Sequence, residues 1–103
     1  MYNIENLKEL QQFSNPYIAQ QKAFEYLGPS AILQKSTKKD KKYMIYNPNT
    51  NKYIHFGQMG YEDYTKHNDD KRRQNYLKRT ENMRGEWKHN LYSANNLSRH
   101  ILW

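Results

Sequence analysis

Two hydrophobic rhythms alternate along this chain. Ile4, Leu7 and Leu10 recur at helical spacing behind Asn3, a residue suited to capping, and predict a short first helix. Asn15 then Pro16, closed by Gly28-Pro29, predicts a second, with Tyr17, Phe24 and Leu27 near one face beside Ala23. Residues 1–34 therefore read as an N-terminal helical arm. Ser36 to Lys42 (STKKDKK) is a polar, basic linker, after which the rhythm changes. Lys42–Tyr46 and Lys52–Phe56 are short aromatic and β-branched runs joined by Asn47-Pro48-Asn49-Thr50-Asn51, so they predict a β-hairpin over about 42–56. Both strands are apolar at nearly every position, which requires either cover on both faces or aromatics presented outward. A hairpin alone is marginal in water and needs helices against it.

Gly57 and Gly60 bracket a turn, and helical spacing then returns. Asn68-Asp69-Asp70 offers a cap with two acids in the first turn, where the helix dipole favours them; the helix is expected over about 69–84, with Gly85 as its stop. Tyr76, Leu77, Thr80 and Met83 fall on one side, with Lys71, Asn75, Lys78 and Asn82 opposite. Arg73 and Arg84 lie within the apolar sector, where an arginine needs a partner; Arg73 is expected to be structural and bonded to Asp63 or Glu62. A last helix is expected over about 94–102, with Leu97, Ile101 and Leu102 inward and Trp87 and Trp103 in structural roles. The fold class is α+β: a small domain over 35–103 in which a β-hairpin packs against three to four short helices, preceded by the arm.

Composition sharpens this picture. A 103-residue chain without valine is short of branched aliphatics, and aromatic residues, 15% of the chain, must supply the core. The absence of cysteine excludes a disulfide framework and a thiolate zinc site. No apolar run approaches a membrane span and the first residues lack a signal-peptide layout, so a protein neither membrane-bound nor secreted by that route is expected. The formal charge is +7, and it is unevenly placed: 15 of the 17 basic residues lie beyond Gln34 with 7 of the 10 acids, a net of +8, while the first 34 residues carry −1. Such an imbalance attracts polyanions, of which nucleic acid is the commonest in a cell.

The candidate phosphate contacts are Lys71, Arg72, Lys78 and Arg79 on the long helix and Lys38, Lys39, Lys41 and Lys42 in the linker. The plainer reading of the same residues is a solvated helix face and a soluble linker. Tyrosines interleaved with lysine in KKYMIY and NKYIHF make Tyr43 and Tyr53 candidates for base stacking, against the alternative that they pack across the hairpin. Gly57-Gln58-Met59-Gly60 has the spelling of a GxxG clamp but follows a strand, so it reads as a turn. His55, Asp63, His67, Asp69 and Asp70 fall close together and are residue types that can activate water, directly or through a metal, but their spacing matches no HExxH, CxxC, GxSxG or P-loop pattern. No catalytic residue, metal ligand or cofactor is assigned, and both histidines read as structural.

HFGQMGYEDYTKH (55–67), DDKRRQNYLKR (69–79), RGEW (84–87) and YSANNLSRHILW (92–103) together resemble a family of small basic proteins of unknown function encoded by large DNA viruses of eukaryotes. The resemblance runs from Lys41 to Trp103 and implies a viral origin; richness in Asn, Lys and Tyr fits an AT-rich genome. The function expected is non-enzymatic binding of nucleic acid, DNA or RNA, with little sequence preference. The alternatives are a minor structural component of a virion that contacts a capsid or core protein, and an inhibitor of a host factor that handles nucleic acid. The setting implied is the virion or the cytoplasm or nucleus of an infected cell.

Overall fold

The computed structural model describes residues 4–103, with side chains from residue 7 onward, so the cap expected at Asn3 and the side chain of Ile4 lie outside the described residues. Helix α1 (Ile4–Gln11) leads into α2 (Pro16–Leu27). The Asn15 side chain caps α2 by accepting from the amides of Tyr17 and Ile18, and Pro16 occupies the first turn, where its missing N–H costs nothing. A three-stranded antiparallel sheet follows, in the order β1 (Gln34–Lys35), β2 (Lys41–Asn47), β3 (Lys52–Gln58). Then come α3 (Tyr64–His67), α4 (Asp70–Glu81), a 3₁₀ turn (Trp87–His89), and α5 (Ala94–Leu97), which runs on into a π-helical turn (Ser98–Leu102). The fold is α+β.

The β2–β3 hairpin forms where the turn chemistry places it. The Asn47 side chain accepts from the Asn49 amide, Asn51 takes the left-handed conformation (φ 57°), and the register sets Tyr46 opposite Tyr53 and Tyr43 opposite Phe56. That register decides which tyrosine is inside. Tyr43, Ile45 and Phe56 share one core with Leu10, Ala19, Ala23, Ala31 and Leu33 from the N-terminal third and Leu97, Ile101 and Leu102 from the end of the chain. The segment expected as an arm is thus part of the body of the domain. Its contact face is also smaller than the apolar pattern implied: Ala19 and Ala23, one turn apart, are buried while Tyr17 is exposed, and α2 packs against the Ser98–Leu102 turn. Close approach recurs at Gly57 (φ +83°), where a Cβ would lie 2.8 Å from the Leu102 side chain.

Local differences from the sequence reading have physical causes. The lysine-rich segment is the turn of a β1–β2 hairpin and not a linker: the Ser36 amide donates to the Lys42 carbonyl, and the Ser36 hydroxyl accepts from the Lys38 amide. Asp63 caps α3 by accepting from the Thr65 amide, Asn68 closes it in the left-handed conformation, and the cap of α4 is Asp69. Helix α4 stops at Glu81, ahead of Gly85, and the C-terminal helix bonds carbonyls of its last turn. Arg99 Nη1 donates to the Leu77 carbonyl at 2.6 Å and Asn95 Nδ2 to that of Thr80 at 3.2 Å. Met83 and Arg84, beyond this end, are exposed.

At the centre lies a buried polar network. Lys42 is 2% exposed, and its ammonium donates to the Phe13 carbonyl (3.1 Å), the Tyr61 carbonyl (2.5 Å) and Asp63 Oδ2 (3.0 Å), so three protons meet three acceptors. Asp63 Oδ1 accepts from both the amide and the hydroxyl of Thr65. With the Thr65 proton so committed, Ser14 must donate to Thr65 Oγ1 (3.1 Å) and Tyr43 to Ser14 (2.7 Å). The hydroxyls therefore run in one direction, from Tyr43 to the carboxylate. Burial pushes the Lys42 ammonium below the usual lysine value, and the Asp63 charge opposes that shift. Truncating one partner of such a pair strands the other charge. Asp63→Ala is expected to cost about 3–5 kcal/mol by urea denaturation, and Tyr43→Phe, which removes the far end of the relay, about 1–2 kcal/mol.

Candidate nucleic-acid interface

Of the cations expected to face phosphate, those of α4 form a surface. At about 100° per residue, Lys78, Lys71, Asn75, Arg79 and Arg72 follow one another around an arc of about 120°, and all five are exposed. Asp70 and Glu81 lie outside the arc, toward its other side. Among the described residues Lys71, Lys78 and Arg79 have no ion-pair partner, and Arg72 makes one solvent-exposed contact, 3.6 Å from Glu62 Oε1. An exposed pair of that kind contributes little and yields readily to a phosphate.

The arc is held from both ends. At its start, Asp69 Oδ1 accepts from the Lys71 and Arg72 amides, and Asp70 accepts from the Tyr64 hydroxyl at 2.6 Å. At its finish, Thr80 is buried and Arg99 bonds both the Thr80 hydroxyl and, at 3.0 Å, Glu81 Oε2. On the inward side Tyr76 stacks on Trp103, with centroids 4.2 Å apart and planes within 10°. Trp103 is thus structural, as is Trp87, whose indole donates to the Met83 carbonyl at 2.8 Å.

Three sequence assignments are corrected here. Lys42 cannot face phosphate, because it is buried and neutralised by Asp63. Tyr43 cannot stack a base, because it is fully buried and bonded to Ser14. Arg73 is structural but bonds neither Asp63 nor Glu62; its Nε donates to the Trp103 carbonyl at 2.6 Å and its guanidinium lies over the Tyr64 ring. Asp63 keeps its structural role with Lys42 as the partner. Tyr53 is exposed and packs edge-on against Tyr46, with centroids 5.4 Å apart. Lys38 and Lys39 are exposed and Lys41 half-buried at the β1–β2 turn. That turn adjoins the end of β3, since Lys41 pairs with Gln58 and the Met59 amide donates to the Asp40 carbonyl at 2.9 Å.

Between β3 and α4 a cleft of about 550 Å³ opens, which the sequence reading missed. Gly57 and Gln58, Tyr61 and Glu62, Arg72, Asn75, Tyr76 and Arg79, and Leu102 and Trp103 line it. The signal in the sequence was faint: Tyr61 directly follows a turn glycine, where a core tyrosine is not expected.

The acid and histidine candidates are dispersed into separate tasks. His55 Nδ1 bonds the Ser36 hydroxyl at 2.6 Å, Asp63 holds Lys42, His67 Nδ1 accepts from the Asp69 amide, and Asp69 and Asp70 serve the start of α4. Among the described residues no three His, Cys, Asp or Glu side chains are grouped so as to hold a metal ion, and no helix is long and apolar enough to cross a membrane.

Residues 31–80 match the model of a family of unknown function, DUF5754. The match covers the sheet, α3 and nearly all of α4, and so includes both Lys42 and Asp63 and the whole arc. No curated protein and no solved structure matches the chain.

His55 reports on the lysine turn. Burial lowers its pKa below the ordinary histidine value, and the charges of Lys38 and Lys41 lower it further. In the variant Lys38→Gln/Lys41→Gln the His55 pKa, followed by NMR of its imidazole protons, is expected to rise but to stay below the ordinary value, because burial is the larger cause.

Proposed function

We propose that the protein binds nucleic acid without catalysis, gripping the phosphate backbone with little sequence preference. The observation that carries this reading is the acid-free arc of Lys71, Arg72, Lys78 and Arg79 on α4. Lys71 and Lys78 are seven residues apart, about 10 Å along the helix. Phosphates recur about every 3.4 Å along one strand, so such a row can follow a backbone. Lys38, Lys39 and Lys41 extend the positive surface past the end of β3. Contacts of these cations to phosphate position a strand without reading its bases, which suits binding with little sequence preference.

The likeness of Lys41–Trp103 to small basic proteins of large DNA viruses supports a viral setting, with the viral genome or its transcripts as the polyanion. A second reading, contact with another virion protein, draws on a different surface. Tyr46, Tyr53, Ile32 and Leu91 are exposed, and the hairpin face they border carries no cation in its groove.

Fluorescence anisotropy with labelled DNA and RNA separates the two. A phosphate binder loses affinity steeply between low and physiological salt, with a log–log slope near −0.7 to −0.9 per contact. Lys71→Glu/Lys78→Glu is expected to abolish binding at physiological salt while the fold survives, since both side chains are exposed. Retained affinity in that variant, or salt-independent binding, would contradict the proposal.

A further inference from the structure

We infer that the cleft between β3 and α4 receives an unpaired nucleotide, so that the preferred ligand is a single strand and not a duplex; this rests on the nucleic-acid reading and deepens it. Shape is the first argument. Lys71 and Lys78 sit on the convex side of α4, but Arg72 and Arg79 line a recess, which a cylindrical duplex touches only at its rim. At about 550 Å³ the recess falls within the usual range of sites that enclose a small organic group.

Its chemistry matches a nucleotide part by part. Tyr61 stands at the rim with 69% of its surface exposed, and its ring meets no other aromatic ring among the described residues. Its backbone is nevertheless fixed, since its carbonyl takes one of the three Lys42 protons at 2.5 Å. A ring held by a rigid backbone and left uncovered is a stacking platform whose ordering cost is already met. Gln58 from β3 and Asn75 from α4 bring side-chain amides, each with donors and an acceptor, to the two sides of the cleft, and these suit the edge of a base. Arg72 and Arg79 present planar guanidinium groups to a phosphate; Arg79 is steadied over the Tyr76 ring, 5.5 Å from its centroid. A base in a duplex stays within its stack and cannot enter, whereas an unpaired one can.

Two other recesses among the described residues lack this combination. The groove beside Tyr46, of about 320 Å³, is lined by no charged residue, and the one at the start of α2 has Lys66 alone and no aromatic ring.

The test compares an oligothymidylate of about 12 nucleotides with a duplex of equal length at matched salt, using the full chain, Tyr61→Ala and Tyr61→Phe. Single strands are expected to bind the wild type at least about tenfold more tightly than duplex. Tyr61→Ala is expected to lose about 5- to 150-fold in single-strand affinity, the range that stacking of one base spans, while Tyr61→Phe retains it. Equal affinity for the two ligands, or a Tyr61→Ala variant that binds single strands as the wild type does, overturns the cleft assignment and leaves salt-dependent phosphate binding standing. Failure of both ligands to bind at low salt overturns the underlying reading as well.

Discussion

A single ammonium organises this molecule. Lys42 draws together the carbonyl of Phe13 at the α1–α2 junction, the carbonyl of Tyr61 beyond β3, and the carboxylate of Asp63 at the start of α3. A buried ion pair of this kind rarely adds net stability over apolar side chains of the same volume, since both charges must be desolvated. What it supplies is position. An apolar core accepts many packings, but three acceptors around one ammonium, and a hydroxyl relay that runs only from Tyr43 to Asp63, are satisfied by one arrangement of the chain. For a small core built mostly of Ala, Leu and Ile around Tyr43 and Phe56, that constraint does work that shape alone would do elsewhere.

The candidate interface inherits this geometry within a few residues. Asp63 both receives Lys42 and caps α3; Asn68 turns the chain out of α3, and Asp69 opens α4, so the direction of the basic helix is set from the buried pair outward. The same ammonium fixes the backbone of Tyr61. The platform at one side of the cleft and the cations at the other are therefore referenced to a common point. At the far end, Arg99 and Asn95 hold the last turn of α4 against the C-terminal helix. Lys42 and Arg99 thereby serve structure at the two ends, as Arg73 does through the Trp103 carbonyl, while Lys71, Arg72, Lys78 and Arg79 stay exposed.

Features governed by local chemistry were legible in the sequence. The cap and proline of α2, the Asn-rich turn of the β2–β3 hairpin and the cationic face of α4 depend on neighbours a few residues away, and they appear where the pattern places them. What escaped was set by distant partners. In the run Lys38, Lys39, Lys41, Lys42 the four side chains look alike, and only Phe13, Tyr61 and Asp63, brought in from elsewhere, single out Lys42 as the buried one. Tyr43 and Tyr53 occupy similar strand settings, and the register alone sends Tyr43 inward beside Phe56 while Tyr53 faces out beside Tyr46. Strand β1 has two residues and α3 has four, too few for a period to show. The cleft exists only once β3, α4 and the end of the chain are assembled, so no local pattern singled out Tyr61.

The most direct test of the account is to map, residue by residue, where a nucleic acid touches the folded protein. In a titration of isotope-labelled protein with a short oligonucleotide, followed by backbone amide NMR, the largest shifts should fall on residues 71–79, 58–62 and 38–41, with Tyr46 and Tyr53 silent. Shifts centred on the Tyr46–Tyr53 face, or none along α4 at low salt, would contradict it.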